Sequence, residues 1–370
     1  MSNGNNCIMV GIDLHDKSMQ LAIGIGTADP TYVSFETDSE GRRRMIEALK
    51  GQAAAIDAAV DAVYEASGSG FLLYDELTQA GFGCHVLAPS KIARSAKHVR
   101  TKTDRKDALL LLSVLRAYRL AGGELPAVCV PDPETRDDRL VMRMRLTAGE
   151  KLSGTKTQVK CLLKQAGVER PADLRDVWTK RGRAWLRQVG ESGAFGLRTA
   201  LQSLLRQVQF LEEEIARLDE AVEALAQTQR YAQPARELDA MMGVGILTAM
   251  VFLAELGDLS RFANRRQLAS YLGLVPSCRE SGESSDRKGH ITHHGPARIR
   301  KLLCQSAWIT TRLEPATKRW FQAVKRRNPK KSKIALVAAM RRLGIAMWHR
   351  GREAQRRAGS FSPAAVAQAG

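Results

Sequence analysis

Nine apolar residues recur at alternating intervals of four and three: Leu197, Leu201, Leu204, Val208, Leu211, Ile215, Leu218, Val222 and Leu225. No strand carries that period, so the stripe demands a single helix of about eight turns with one apolar seam. With Leu201, Val208, Ile215 and Val222 as a positions, leucine falls at every d position. Mostly β-branched a residues over leucine d residues favour a two-stranded coiled coil. The reading is therefore a coiled-coil segment through which the chain self-associates. The same stripe would also suit a helix packed inside its own chain.

The residues before this stripe have another rhythm. Cys7–Leu14 and Met19–Ile25 are apolar with short polar breaks, Thr31–Glu36 alternates, and Ala59–Glu65 and Cys84–Leu87 read as further strands. Helices are expected near Glu40–Lys50, Phe71–Ala80 and Lys106–Leu120. Strands interleaved with helices in this order predict a layered α/β domain over residues 1–125. Pro126–Pro133 reads as a linker, Glu134–Gln165 as a basic helix, and Val168–Val189 as irregular, which places a helical linker and coiled coil at 126–234. A mainly helical domain follows at 235–350, and 351–370 reads as a flexible tail.

Charge narrows the choice of partner. The 370 residues carry 57 Lys plus Arg against 39 Asp plus Glu, a net of +18. Between Arg287 and Arg352 stand eighteen basic residues and a single acid, Glu314. A merely solvated surface mixes both signs, whereas single-signed density is the footprint of phosphate binding. Arg287, Lys288, Arg298, Arg300 and Lys301, then Lys325, Arg326, Arg327, Lys330, Lys331 and Lys333, are the candidate nucleic-acid contacts. Gly243 and Gly245 join them, because a glycine hairpin between helices lets backbone N–H groups approach a phosphate. Six dispersed cysteines with no CxxC pair fit reduced thiols in the cytoplasm. No apolar run reaches the roughly 18 residues of a membrane span, and no secretion signal opens the chain. Cys278, His290, His293, His294 and Cys304 match no familiar zinc spacing.

Four acids stand where carboxylates are costly or aligned. Asp13 sits near the end of an apolar strand in Gly11-Ile12-Asp13, and Glu65 closes another strand. Asp104 and Asp107, three residues apart, lie one above the other at a helix start. Singly, each has a structural explanation: helix-end acids offset the macrodipole, and a strand-end Asp caps a turn. Together, beside a nucleic-acid partner, they suggest hard oxygen ligands for Mg²⁺ in phosphoryl chemistry. Asp16 is a spare candidate.

Asp13, Glu65, Asp104 and Asp107 resemble the D-E-D-D set of the RuvC-like domain in insertion-sequence 110 transposases, also called bridge-RNA-guided DNA recombinases. The similarity continues through the coiled-coil segment, Gly243–Gly245, Arg261-Phe262, Leu272-Gly273-Leu274-Val275-Pro276, Glu280-Ser281-Gly282, Gly289-His290-Ile291, Gly295 and Arg298 to Leu303. It covers roughly residues 7–350.

The resemblance implies an RNase H-like (RuvC-like) domain followed by a helical transposase domain. It implies that Ser281 attacks the DNA phosphodiester and becomes covalently linked to it, in a composite site between protomers with Mg²⁺ supplied by the acidic set. Arg279, Arg287 and Lys288 flank that serine and would steady the phosphoryl charge. The implied partners are donor and target DNA, a noncoding bridge RNA that reads sequence by base pairing, and further copies of the chain as dimer or tetramer. The implied location is cytoplasmic, at the nucleoid when acting. Two other readings compete: a RuvC-like junction endonuclease that hydrolyses DNA with metal alone, and a nucleic-acid binder without catalysis.

Overall fold

The computed structural model describes residues 7–93, 103–278, 288–292, 294–329 and 331–360, apart from the side chains of Cys278, Lys288 and Ser332. The chain forms two compact units that part between Val130 and Pro131.

The first unit is built on a five-stranded sheet ordered β3-β2-β1-β4-β5. Its strands are β1 (Cys7–Leu14), β2 (Ser18–Ile25), β3 (Thr31–Glu36), β4 (Ala59–Glu65) and β5 (Gly83–Leu87). β1 pairs antiparallel with β2 and parallel with β4, and the register runs from Cys7↔Ala59 to Ile12↔Tyr64. The expected strands thus appear, with β1 and β4 side by side. Because side chains alternate along a strand, Ile8, Val10, Ile12, Val60, Ala62 and Tyr64 share one face. That face is covered by Met45 and Leu49 of α1 (Ser39–Ala55) and by Leu73 and Leu77 of α2 (Leu72–Gln79).

The opposite face takes one long helix, α3 (Asp104–Ala121), whose Ala108, Leu111, Leu112 and Leu115 bury against Met9, Ala22 and Val63. Thr103 caps its start by accepting from Lys106 N. Its far end is pinned by Arg119, which donates to Asp61 of β4, and Asp61 also meets His85 of β5 at 3.2 Å. Burial pushes the Asp61 carboxyl up, but His85 and Arg119 outweigh it and hold the group below the usual range.

The second unit is helical: α4 (Pro133–Gln165), α5 (Lys180–Ser192), α6 (Phe195–Ala226), α7 (Ala232–Asp239), α8 (Ile246–Leu256), α9 (Arg265–Tyr271), α10 (Ala297–Leu313), α11 (Pro315–Arg327) and α12 (Ser332–Ala358). A two-stranded hairpin, β6 (Pro276–Cys278) with β7 (Lys288–Ile291), interrupts them. α8 is buried from Ala249 to Leu256, the apolar centre of the largest core. Its one charge, Glu255, receives Arg143 of α4 at 2.8 and 3.0 Å, while Arg139 donates to the Ala254 and Glu255 carbonyls that end the helix.

Three expectations change. The heptad helix α6 exists, but its a positions Leu201, Val208 and Val222 are buried within the chain. Leu201 packs with Val159 and Leu163 of α4, and Val222 shares the main core with Met142 of α4. The segment 168–189 read as irregular contains helix α5 from Lys180, capped by Thr179 accepting from Gly182 N. The tail expected from 351 begins inside α12, where Gln355 binds Leu259 N and the Gly257 carbonyl, both at 3.0 Å. Residues 361–370 lie outside the described residues.

Candidate metal centre

A glycine sets the geometry of the acidic group. Gly11 of β1 faces α3, and a Cβ there would stand 2.3 Å from the Ala108 carbonyl and 2.4 Å from Leu112 N. The missing side chain lets α3 lie against the strand itself, one turn from Asp107 and two residues from Asp13. Met9, Gly11 and Asp13 form one alternating series, as do Asp61, Val63 and Glu65, so both strand-end acids belong to the face that α3 covers.

Asp13 is largely buried, with its side chain 16% exposed. His15 Nε2 meets its Oδ2 at 3.1 Å and Asp104 Oδ1 at 3.5 Å. The turn carrying His15 is fixed by its N–H donating to the Ser18 carbonyl (3.0 Å) and by Thr37 Oγ1 donating to its own carbonyl (2.8 Å). Desolvation raises the Asp13 pKa, and the charges of Asp107 and Asp104 add to it against the pull of His15. A carboxyl so placed gains from a cation nearby.

Asp13, His15 and Asp104 can bring one ligand atom each within 4.8 Å of one another, the sole such group among the described residues. Two ligands about 2.1 Å from one ion stand at most about 4.2 Å apart, so small rotamer changes suffice to close on it. The donor set fits a divalent cation. Asp107 is 5% exposed and reaches Asp13 through its charge. Glu65 lies one residue past the last β1–β4 pair and hydrogen-bonds in register with Leu87, outside that three-residue group.

Two of the expected four acids, Asp13 and Asp104, therefore fall in one group with His15, while Asp107 stands on the same helix as Asp104 and Glu65 shares the face of Asp13. His15 is an addition. It lies one residue past the end of β1, where alternation no longer fixes the direction of a side chain. A shallow groove of about 510 Å³ opens beside it, lined by Leu14, His15, Asp16, Lys17 and Ser67 to Ser69.

The basic candidates separate by what already holds them. Arg300 Nη1 donates to the His294 and Gly295 carbonyls at 2.8 and 3.0 Å, and Lys301 pairs with Glu150 of α4 at 2.9 Å. Arg300 thus stiffens its own turn. Arg298, Lys325, Arg326, Arg327, Lys331 and Lys333 are exposed. Gly243 (φ +79°) is required by packing, for a Cβ would lie 2.8 Å from Thr310 Oγ1. Gly245 begins α8 with open space around it. Arg279, Ser281, Arg287 and Lys330 lie outside the described residues, as does the Lys288 side chain.

Comparison with known proteins decides the family. Residues 10–168 match the DEDD transposase family of insertion sequence 110, and residues 235–322 match the family described as Transposase IS116/IS110/IS902. Two Sinorhizobium fredii proteins that carry transposase names are 37% and 33% identical; the alignments cover 66% and 77% of this chain. The chain belongs to the IS110/IS116 family of transposases. The same alignments span 57% and 75% of those relatives. The transposase for insertion sequence element IS1533 of Leptospira borgpetersenii is 23% identical over 81% of this chain and 84% of its own. A transposase acts on DNA, and its DEDD domain calls for a divalent metal, which the cluster around Asp13 suits. No described helix of this transposase is long and apolar enough to cross a membrane.

Proposed function

We propose that this transposase cuts and rejoins donor and target DNA through a covalent serine–DNA intermediate. Ser281 Oγ would attack phosphorus, forming a serine–phosphate bond as one P–O bond of the DNA backbone breaks and its oxygen leaves as a hydroxyl. Rejoining reverses the exchange with a new strand's hydroxyl, so the phosphodiester energy is conserved. Asp13, Asp104, Asp107 and Glu65 of an RNase H-like domain would hold Mg²⁺, with His15 at its edge. The ion would neutralise charge on the phosphoryl group. Arg279, Arg287 and Lys288 flank the serine in sequence and suit the same charge. The observation that carries the reading is the convergence of Asp13, His15 and Asp104 at the strand end, with Asp107 acting on Asp13 from the same helix.

Guidance by a noncoding bridge RNA, assembly as a dimer or tetramer, and action at the nucleoid in the cytoplasm belong to the same proposal and rest on the family. The test is a cleavage reaction with labelled donor and target DNA, the element's own RNA and Mg²⁺, stopped in SDS. A protein–DNA adduct that needs Mg²⁺ and is lost in Ser281→Ala supports the serine mechanism. Free cut ends without adduct, undiminished in Ser281→Ala, would instead make the protein a hydrolytic RuvC-like nuclease.

A further inference from the structure

The outer end of the α4–α6 pair carries a module that neither the metal centre nor the C-terminal basic surface uses. Val159, Leu163, Leu174, Val177, Leu186 and Leu201 form a core of their own there. The module is rigidly built. A Cβ on Gly182 would come within 2.5 Å of the Val177 carbonyl, so α5 seats directly on the loop before it. Lys156 and Arg183 lie over the Trp178 ring at 5.1 and 5.8 Å, and both pair with Glu212.

The charge on this module is lopsided. Residues 156–187 contain nine Lys or Arg and three acids. Arg181 pairs with Asp173, and Arg183 and Lys156 share Glu212. Lys160, Lys164, Arg170, Arg175, Lys180 and Arg187 are exposed and have no ion-pair partner among the described residues. Four of these six line one concavity of about 490 Å³ together with Trp185, Glu169 and Asp176. Unpaired like charges crowded on a preformed concave surface repel one another unless a polyanion relieves them.

We propose that this module grips the phosphate backbone of double-stranded DNA, as a second contact remote from the C-terminal basic surface. A duplex carries one phosphate charge per about 1.7 Å of its axis, a charge density that suits so compact a cluster of cations. Such a contact holds flanking DNA in register without reading its sequence. It needs neither Ser281 chemistry nor an RNA guide, so it stands or falls separately from the proposed function.

The test uses the full chain and fluorescence anisotropy with a labelled 40-bp duplex of arbitrary sequence, titrated from low to high salt. A variant with Lys160→Gln, Lys164→Gln, Arg170→Gln and Arg175→Gln should bind at least about tenfold more weakly at moderate salt, with a log–log salt slope shallower by about 2–4. Its circular dichroism should match wild type, since all four side chains are exposed and the hydrogen bond lost, from Arg170 to the Arg175 carbonyl, lies on the surface. Glu169→Gln, which removes a repelling charge from the same concavity, should tighten binding and guards against misfolding of the multiple variant. Unchanged affinity and slope in both variants would overturn the proposal. So would a loss confined to a labelled RNA hairpin run in parallel, which would make the module an RNA contact.

Discussion

Gly11→Ala is the sharpest probe of how the sheet and α3 build the candidate metal centre. The added Cβ would stand 2.3 Å from the Ala108 carbonyl oxygen and 2.4 Å from Leu112 N. Ordinary contacts of this kind lie near 3.4 Å, so α3 must retreat by roughly 1 Å, and both obstacles are backbone atoms that no rotamer change can move. Overpacking of this kind costs about 1–3 kcal/mol, a factor of about 5 to 150 in the folded-to-unfolded ratio. The same retreat carries Asp104 and Asp107 away from Asp13. Urea unfolding followed by circular dichroism should reveal the lost stability, and Mn²⁺ titration read by electron paramagnetic resonance should reveal weakened binding. Gly68→Ala is the control, since nothing lies within 4 Å of a Cβ there. If Gly11→Ala matches Gly68→Ala in both measurements, the close approach of α3 does not set the centre, and the reasoning fails.

Four further outcomes follow from the same structure. Asp104→Asn should weaken Mn²⁺ binding at least about tenfold, read by the same titration, without lowering the unfolding midpoint, because its side chain is 58% exposed. Arg143→Ala should destabilise the helical unit by about 1–3 kcal/mol in urea, because it removes two hydrogen bonds from Glu255, whose side chain is 6% exposed and keeps only the longer Arg139 pair at 3.9 Å. Arg183 and Lys156 pull the Glu212 carboxyl down to about 2 from an ordinary 4.5. Its folded value is depressed, so the pair stabilises above about pH 4.5 and that contribution fades as pH falls toward 2. With 30% of the side chain exposed, screening leaves about 1 kcal/mol. The stability gap between wild type and Glu212→Gln, measured against pH, should therefore close across that window. Val208→Asp, at a site 1% exposed, should unfold the α4–α6 pair, seen as lost helicity, rather than merely dissociate an oligomer.

The first unit was the more legible because alternation is a local signal. Ile8, Val10 and Ile12 against Met9, Gly11 and Asp13 assign both faces of β1 before any contact is known. His15 escaped because one residue beyond a strand end no longer announces which way it points, and a turn fixed by Thr37 decides it. The C-terminal limit escaped for a different reason. Gly351 looks like a helix stop in sequence, yet it lies within α12 where a Cβ would stand 2.8 Å from Leu259 Cδ1. There glycine marks a close helix crossing. Gly182 likewise marks a close approach, to Val177, that exists only once the loop before α5 has folded back.

The heptad stripe raises the remaining physical question, because its period specifies a partner helix without specifying whose. Charge supplies the answer here. Arg145 of α4 binds Asp219 of α6 at 2.6 and 3.0 Å, Lys156 binds Glu212 at 2.8 Å, and beyond them Leu163 packs with Leu201. Advancing along α4 means retreating along α6, so the pair is antiparallel, as two helices of one chain joined by a short connecting module will be. The preference for β-branched a positions belongs to parallel pairs, and it carries no weight once the partner runs the other way. Loop closure inside one chain also costs far less than bringing two chains together at low concentration. Three of the four a positions are thus buried within the chain, while Ile215 and the d leucines are half-buried. Apolar surface on α6 is left instead at Phe195 and Phe210, exposed at 76% and 60%.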